Sequence, residues 1–463
     1  MAVLVAVGDS LVQGAQSLAT SRVDLSFPAL IARSLHLGPG EFAVPDFSGA
    51  DGLPFNLEGL ARRLERDFGA RIRGPEWIPA AVHIGRILDE VEGYWERGPG
   101  AAPAAEALYH DLGIWDFQVC DAYTTTPRRC DDGIRRDKPE WLEPPAHGRL
   151  RIARRVLDPA RLPGRLDVTQ LDVAREIAAR DGGIEHLVAL IGANNCLRAV
   201  WDLEIRETGP ASPGPGTAYS LWSEAAFAEE YTRFADGLAA AGAHHVYVGT
   251  VPHVSGLPLT RGVMRDGAPF PAGGGTYDFY TRVWIDPRRF DPRRDPHLAG
   301  DAMRRIDERV DAYNATIRAA ALARGFEVVD VAAIFDGLDW YRHGGAPPYP
   351  LPAPIGDLDA RFFEIDEGGA RTQGGLVSLD GMHPTLCGYG LLAQAFVDAI
   401  AVHDPGVDDV DFAALRLEDA LIDAPPRTLC DVYGMLETLE KHFHLTRWLT
   451  LEDDHGVRPK LPL

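Results

Sequence analysis

Ala2-Val-Leu-Val-Ala-Val7-Gly8-Asp9-Ser10-Leu11 opens with six apolar residues and turns polar within two positions. A short, continuous run rich in β-branched residues that stops at a glycine predicts a strand buried on both faces of a parallel sheet. It also places a serine at the carboxyl end of that strand and at the start of a helix. Comparable runs at 185–191, 245–249 and 327–331, with a weaker one over 108–119, predict a mainly parallel five-stranded sheet. Helix-period segments lie between them at 25–35, 56–68, 168–180, 223–241 and 302–324. In the last, Ile306, Val310, Tyr313 and Ile317 keep one apolar stripe at 3.6-residue spacing. Alternating strands and helices imply right-handed crossovers and an α/β fold with helices on both sheet faces, whose ligands bind at the carboxyl ends of the strands.

The chain has 463 residues, more than one hydrophobic core usually serves, so one large, elaborated domain or a domain with an appendage is expected. Three stretches dense in Pro, Gly, Asp and aromatics, about 69–107, 255–300 and 336–379, interrupt the α/β pattern and are expected to form lid-like insertions. The domain is expected to end near residue 400. Beyond it, 401–463 reads as a helical extension with helices at 408–421 and 427–445, separated by Pro425-Pro426.

Hydrophobic residues make up 46% and charged residues 25%, the balance of a folded globular protein. The formal charge of -22 repels phosphate backbones, so nucleic acid is not expected as a partner. No apolar run approaches the roughly 20 residues that span a bilayer, and no export signal precedes the first strand. Cys120, Cys130, Cys196, Cys387 and Cys430 are odd in number and lack C-x-x-C spacing, which fits reduced thiols. The expectation is a cytoplasmic protein of open oligomeric state.

Ser10 stands where its hydroxyl can enter the crevice at the sheet edge and its backbone N–H can face a developing oxyanion. An N-cap serine would look the same, so the serine is informative only with a base beside it. Of the fifteen histidines, His383 alone sits in a suitable local setting, Leu379-Asp380-Gly381-Met382-His383-Pro384. Asp380, three residues upstream, can hold Nδ1 of His383 and leave Nε2 as the base. An oxyanion donor is also needed, and Gly192-Ala193-Asn194-Asn195 follows the 185–191 run at the same edge, with Asn194 as the side-chain amide.

In order and placement, G-D-S-L at Gly8–Leu11, G-x-N at Gly192–Asn194 and D-x-x-H-P at Asp380–Pro384 resemble blocks I, III and V of the SGNH (GDSL) hydrolase superfamily, over about residues 1–400. The resemblance implies a three-layer α/β/α sandwich and an ester hydrolase with Ser10 as nucleophile, His383 as general base and Asp380 as its orienter. The oxyanion hole would combine the Ser10 N–H with Asn194. Two positions depart from the family. Its block II glycine aligns with Asp116 in Asp111-Leu-Gly113-Ile-Trp115-Asp116, leaving Gly113 as the fallback donor, and Asn195 stands where G-x-N-D has an aspartate.

The insertions carry Phe270, Tyr277, Phe279, Tyr280, Trp284, Trp340, Tyr341, Tyr349, Phe362 and Phe363, which favour a lipid-like or aryl ester. Carbohydrate O-deacetylation is the alternative, since aromatics also stack on sugars. A chain that has lost catalysis and only binds an ester or glycan is the third reading. No phosphate-binding loop or dinucleotide fingerprint is present, so no cofactor is expected. Asp286, Asp291, Asp295 and His297 share a loop with Arg288, Arg289, Arg293 and Arg294, the pattern of a solvated ion-paired segment rather than a metal site. Cys196 and Cys387 are expected to be small packing residues.

Overall fold

The computed structural model describes residues 1–135, 145, 147–216, 218–268, 271 and 274–435. Its core is a parallel sheet of four strands, β1 (Ala2–Gly8), β2 (Ile184–Leu190), β3 (His245–Gly249) and β4 (Glu327–Val329), hydrogen-bonded in that order. The register sets Val5 beside Leu187 and Leu187 beside Val246, all three buried, as expected of strands covered on both faces.

The expected fifth strand is not a strand among the described residues. Residues 110–114 do run beside β1, where Ala6 donates to the His110 carbonyl (2.9 Å) while Leu112 and Ile114 donate to Ala6 (2.9 Å) and Gly8 (3.1 Å). Pairing is nevertheless limited to one parallel bridge, Ala6 to Asp111. The Asp111 side chain supplies the reason. Its Oδ1 accepts the Gly113 N–H and its Oδ2 the Ser26 hydroxyl, so the backbone turns locally instead of extending.

Helices follow the strands. α1 (Ser10–Gln13), α2 (Phe27–Ser34), α3 (Leu57–Phe68), α4 (Trp77–Glu96), α5 (Gln170–Asp181), α6 (Glu224–Ala239), α7 (Gly300–Arg324) and α8 (Leu386–Ile400) build the helical framework. Asn56, Thr169, Ser223 and Thr385 cap α3, α5, α6 and α8 by accepting an N–H of the first turn. Phe27 of α2 stacks on Phe396 of α8 (5.0 Å between rings), and Phe227 of α6 on Tyr313 of α7 (3.9 Å), so the framework is two packed helix pairs around the sheet.

The three insertions hold regular structure of their own. Residues 69–107, expected to be a loop-like lid, contain α4, which buries Ala80, Ile87, Val91 and Trp95 along one stripe. Residues 255–300 contain three short antiparallel strands, Thr260–Val263, Phe279–Arg282 and His297–Ala299, and residues 336–379 a small hairpin, Glu364–Ile365 with Arg371–Gln373. Beyond His403, the expected 408–421 helix is Phe412–Glu418 followed by Ala420–Asp423, and 429–435 is helical. Residues 427–428, expected to be helical, form a turn, and 436–445, like Phe270, lies outside the described residues. Phe412, Leu415, Leu421, Ile422, Leu429 and Val432 are buried in the same hydrophobic core as the sheet. No helix among the described residues is long and apolar enough to cross a membrane.

Candidate active site

Ser10 is placed by close approach of two strands. A Cβ at Gly8 would stand 2.1 Å from the Leu190 carbonyl oxygen, so only glycine lets the end of β1 lie against the end of β2. Asp9 then caps α1 by accepting the Leu11 N–H at 3.0 Å, and Ser10 becomes the first residue of that helix. Gln170 braces the same turn from α5, its Nε2 donating to the carbonyls of Gly8 (2.8 Å) and Leu112 (2.5 Å).

His383 arrives from the far end of the chain. Ser378 N donates to the His383 carbonyl at 2.8 Å and Gly381 N to the Ser378 carbonyl at 3.0 Å, closing the Asp380 to His383 segment into a tight loop just before α8. Gly381 has φ 73, and a Cβ there would lie 2.7 Å from the Pro258 carbonyl oxygen, so left-handed geometry and lack of space both demand glycine.

This loop brings Ser10, His383 and Asp380 together. The Ser10 Oγ and His383 Nε2 are 3.0 Å apart, and His383 Nδ1 is 2.8 Å from Asp380 Oδ2. The Asp380 carboxylate also accepts the N–H groups of Leu18 (2.8 Å), Met382 (2.9 Å) and His383 (2.9 Å) and the Ser378 hydroxyl (3.2 Å). Burial pushes its pKa up, but the adjacent His383 and these donors outweigh burial and leave it below the ordinary carboxylate range. An ionised Asp380 can only accept, so it fixes the proton on Nδ1 of His383, and Nε2 is left as an acceptor facing the Ser10 hydroxyl.

The expected oxyanion donors sort differently. Asn194 follows β2, and its Nδ2 donates to the Phe117 carbonyl at 3.0 Å, which fixes the amide plane and engages one of its two hydrogens. Phe117 is the neighbour of Asp116, so the Asn194 and Asp116 loops are tied to each other. Asp116 has φ 56, a left-handed conformation more usual for glycine. Burial raises its carboxyl pKa while Arg149 and Arg198 lower it. Gly113, the fallback, is unsuitable because its N–H is engaged by Asp111 Oδ1 at 2.9 Å. The N–H groups of Ser10 and Asp116 meet no protein acceptor among the described residues. Asn195 is buried, with Oδ1 accepting the Val119 N–H at 3.2 Å.

Several groups around the site were not singled out from sequence. Trp115 lies with its ring 5.0 Å from that of His383. Ser378 both accepts the Ser17 N–H (2.9 Å) and donates to Asp380. Asp9 is buried and accepts the Leu11 N–H through Oδ1, and burial raises its carboxyl to about 7. The only sequence signal for these residues is adjacency to a motif.

A cavity of about 330 Å³ lies between two insertions, lined by Tyr277, Tyr280, Trp340 and Tyr341 together with Asp307 and Arg342. Pro258 also lines it, the residue against which Gly381 packs. In the Asp- and Arg-rich loop, Arg293 pairs with Asp291 at 3.1 Å, and His297 Nδ1 faces the Asp295 carbonyl at 3.0 Å. Cys196 and Cys387 are buried, and burial pushes both thiols up.

No family profile matches the chain. No curated protein matches it either. Among solved structures, the chain is similar to LAE5, described as an alpha/beta hydrolase enzyme from the metagenome of Lake Arreo, Spain, at 20% identity and a TM-score of 0.22. The match covers 49% of this chain and 66% of that one, so less than two thirds of LAE5 is spanned.

Proposed function

We propose that the chain is a serine ester hydrolase of the SGNH (GDSL) type, with its sheet forming the centre of a three-layer α/β/α domain over about residues 1–400. The observation that carries this reading is the hydrogen-bonded relay from Ser10 Oγ to His383 Nε2 (3.0 Å) and from His383 Nδ1 to Asp380 (2.8 Å). A buried carboxylate, a histidine and a serine at the carboxyl edge of a parallel sheet form an arrangement suited to acyl transfer.

Ser10 Oγ attacks the ester carbonyl carbon and passes its proton to His383 Nε2. The resulting oxyanion is received by the N–H groups of Ser10 and Asp116 and by the second hydrogen of Asn194 Nδ2. Collapse breaks the bond to the alcohol, which leaves with the proton from His383, and an acyl-Ser10 ester remains. Water then gives a proton to His383, attacks the acyl carbon, and releases the acid as Ser10 recovers its proton.

The cavity beside the histidine loop supports a reading of the substrate class. Its tyrosines and Trp340 supply flat apolar faces, as a lipid-like or aryl ester would require. Asp307 and Arg342 in the same wall favour the second reading, an acylated carbohydrate, because charged groups there hydrogen-bond hydroxyls better than alkyl chains.

The test is intact-mass analysis after a fluorophosphonate probe, with peptide mapping. One adduct on Ser10, absent from Ser10→Ala and His383→Ala, is the expected result. A folded protein that takes no adduct overturns the reading. A panel of aryl esters from acetyl to decanoyl then separates the substrate classes, since a steep preference for acetyl supports the carbohydrate ester.

A further inference from the structure

A second cluster of ligand-type side chains lies at the amino-terminal edge of the sheet, the edge away from Ser10. His245 begins β3 and Glu327 begins β4, neighbouring parallel strands, while His403 sits in the turn that follows α8. One ligand atom from each of the three lies within 4.8 Å of the others. His403 Nε2 is 2.7 Å from Glu327 Oε1, and His245 Nδ1 is 3.9 Å from the same oxygen.

We propose that His245, Glu327 and His403 form a binding site for a divalent transition metal of the zinc type. Two imidazole nitrogens and one carboxylate suit zinc and its neighbours rather than magnesium or calcium, which prefer all-oxygen sets. Metal bonds of about 2.0–2.2 Å place ligand atoms about 3.3 Å apart around a tetrahedral ion, so the trio needs only small side-chain shifts to converge. His245 and His403 now stack, with ring centroids 4.0 Å apart and planes 28° apart. Coordination replaces the His403 to Glu327 hydrogen bond and tilts the His403 ring, which is one-third exposed, out of that stack.

The surroundings are arranged to orient such a ligand. The other nitrogen of His245, Nε2, faces Glu185 Oε1 at 4.0 Å, and Glu185 is held from its far side by His244 Nδ1 at 3.1 Å. At 4.0 Å His245 and Glu185 are not hydrogen-bonded, and a small shift of either side chain lets the carboxylate accept the Nε2–H and leave Nδ1 free to bind. His186, stacked 5.7 Å from His245, is turned to the Tyr247 hydroxyl at 3.2 Å and takes no part. A fourth position is left to water. The ion would join β3, β4 and the exit from α8, the helix that begins three residues after His383, and so brace the sheet edge opposite the reactive serine.

Isothermal titration of the tag-free full chain with Zn²⁺, with Cys430 replaced by Ser because its thiol is exposed, tests the site. One Zn²⁺ per chain is expected, unchanged by His36→Gln, a histidine elsewhere on the surface. Glu327→Gln and His403→Ala should each weaken binding at least tenfold, and zinc should raise the Tm of the parent but not of either variant. Fluorophosphonate labelling of Ser10 should be equal in all of them. Circular dichroism verifies folding, and because His403 lies on an exposed turn, its variant decides the matter even if Glu327→Gln unfolds. No binding by the parent, or unchanged affinity in the variants, overturns the proposal.

Discussion

Asp116, proposed above as an oxyanion donor, holds a left-handed backbone conformation (φ 56). An L-residue there carries roughly 1 kcal/mol of strain, less for Asp than for most. Replacing it with glycine relieves that strain but frees the unfolded chain, so Asp116→Gly should change stability by no more than about 1 kcal/mol. It also removes a carboxyl from beside developing negative charge, so kcat on a simple aryl ester should rise several-fold. A fall in kcat would show that the carboxyl does useful work, and steady-state kinetics with thermal unfolding reads both effects. For the relay, Ser10→Ala should lower kcat by roughly 10⁴-fold or more, and Asp380→Asn by about 10³–10⁴-fold because Asn no longer dictates the His383 tautomer. Asn194→Ala should cost about 10²-fold. Equal activity of Asp380→Asn and the parent would remove Asp380 from the proposed relay. That Ser10, Asp380 and His383 meet is legible in sequence, because each lies in a short motif whose chemistry is local. The Leu18 amide, Ser378 and the Trp115 ring were not, because contacts across 362 residues of chain, such as Leu18 to Asp380, leave no trace in either segment alone.

At the level of elements, the four strands of the sheet are readable as short runs rich in apolar and β-branched residues, unbroken in β1 and opened by Glu or His in the others. The fifth, a weaker apolar run over 108–119, is not a strand, since Asp111 uses its carboxylate to turn the backbone. α4 was under-read for the opposite reason. Pro79, Gly85 and Gly93 suggested a loop, yet Pro79 falls in the first helical turn, where it removes no intrahelical bond, and Ala80, Ile87, Val91 and Trp95 keep a helical spacing. The loop between Ser378 and Pro384 is the element on which activity should depend most sharply. Gly381→Ala meets both a left-handed φ and the Pro258 carbonyl, so it should destabilise by about 1–3 kcal/mol and lower kcat at least tenfold. Gly40→Ala, with nothing within 4 Å of the new methyl, serves as the control. Matching behaviour of the two variants in denaturant titrations and kinetics would refute this account of the loop.

Over the whole molecule, 68 acidic residues against 46 basic ones make ionisation a global matter. Burial raises Asp111, and likewise Asp419, to about 7. A carboxyl with a folded pKa above its unfolded value of about 3.9 is held protonated by the fold, so its ionisation costs stability progressively from about pH 4 to 7 and by a constant amount above that. Asp111→Asn should therefore match the parent near pH 4 and exceed it by a few kcal/mol at pH 8, provided the amide still accepts from Gly113 and donates to Ser26. A pH-independent difference in unfolding free energy would contradict the assignment. The described part of the tail is held by the same core, with Thr428 Oγ1 donating to the Ala61 carbonyl at 2.7 Å and Asp431 accepting the Ile72 N–H at 2.9 Å. A chain ending at His403 should accordingly lose at least 10 °C in Tm.

The pairing of Ser10 with a histidine 373 residues later also has a consequence in time. At about 5–20 residues per second on the ribosome, roughly 20–75 s separate synthesis of the two partners. On the proposed mechanism the nascent serine is an ordinary alcohol throughout that interval, and any product abandoned before His383 is made is chemically inert.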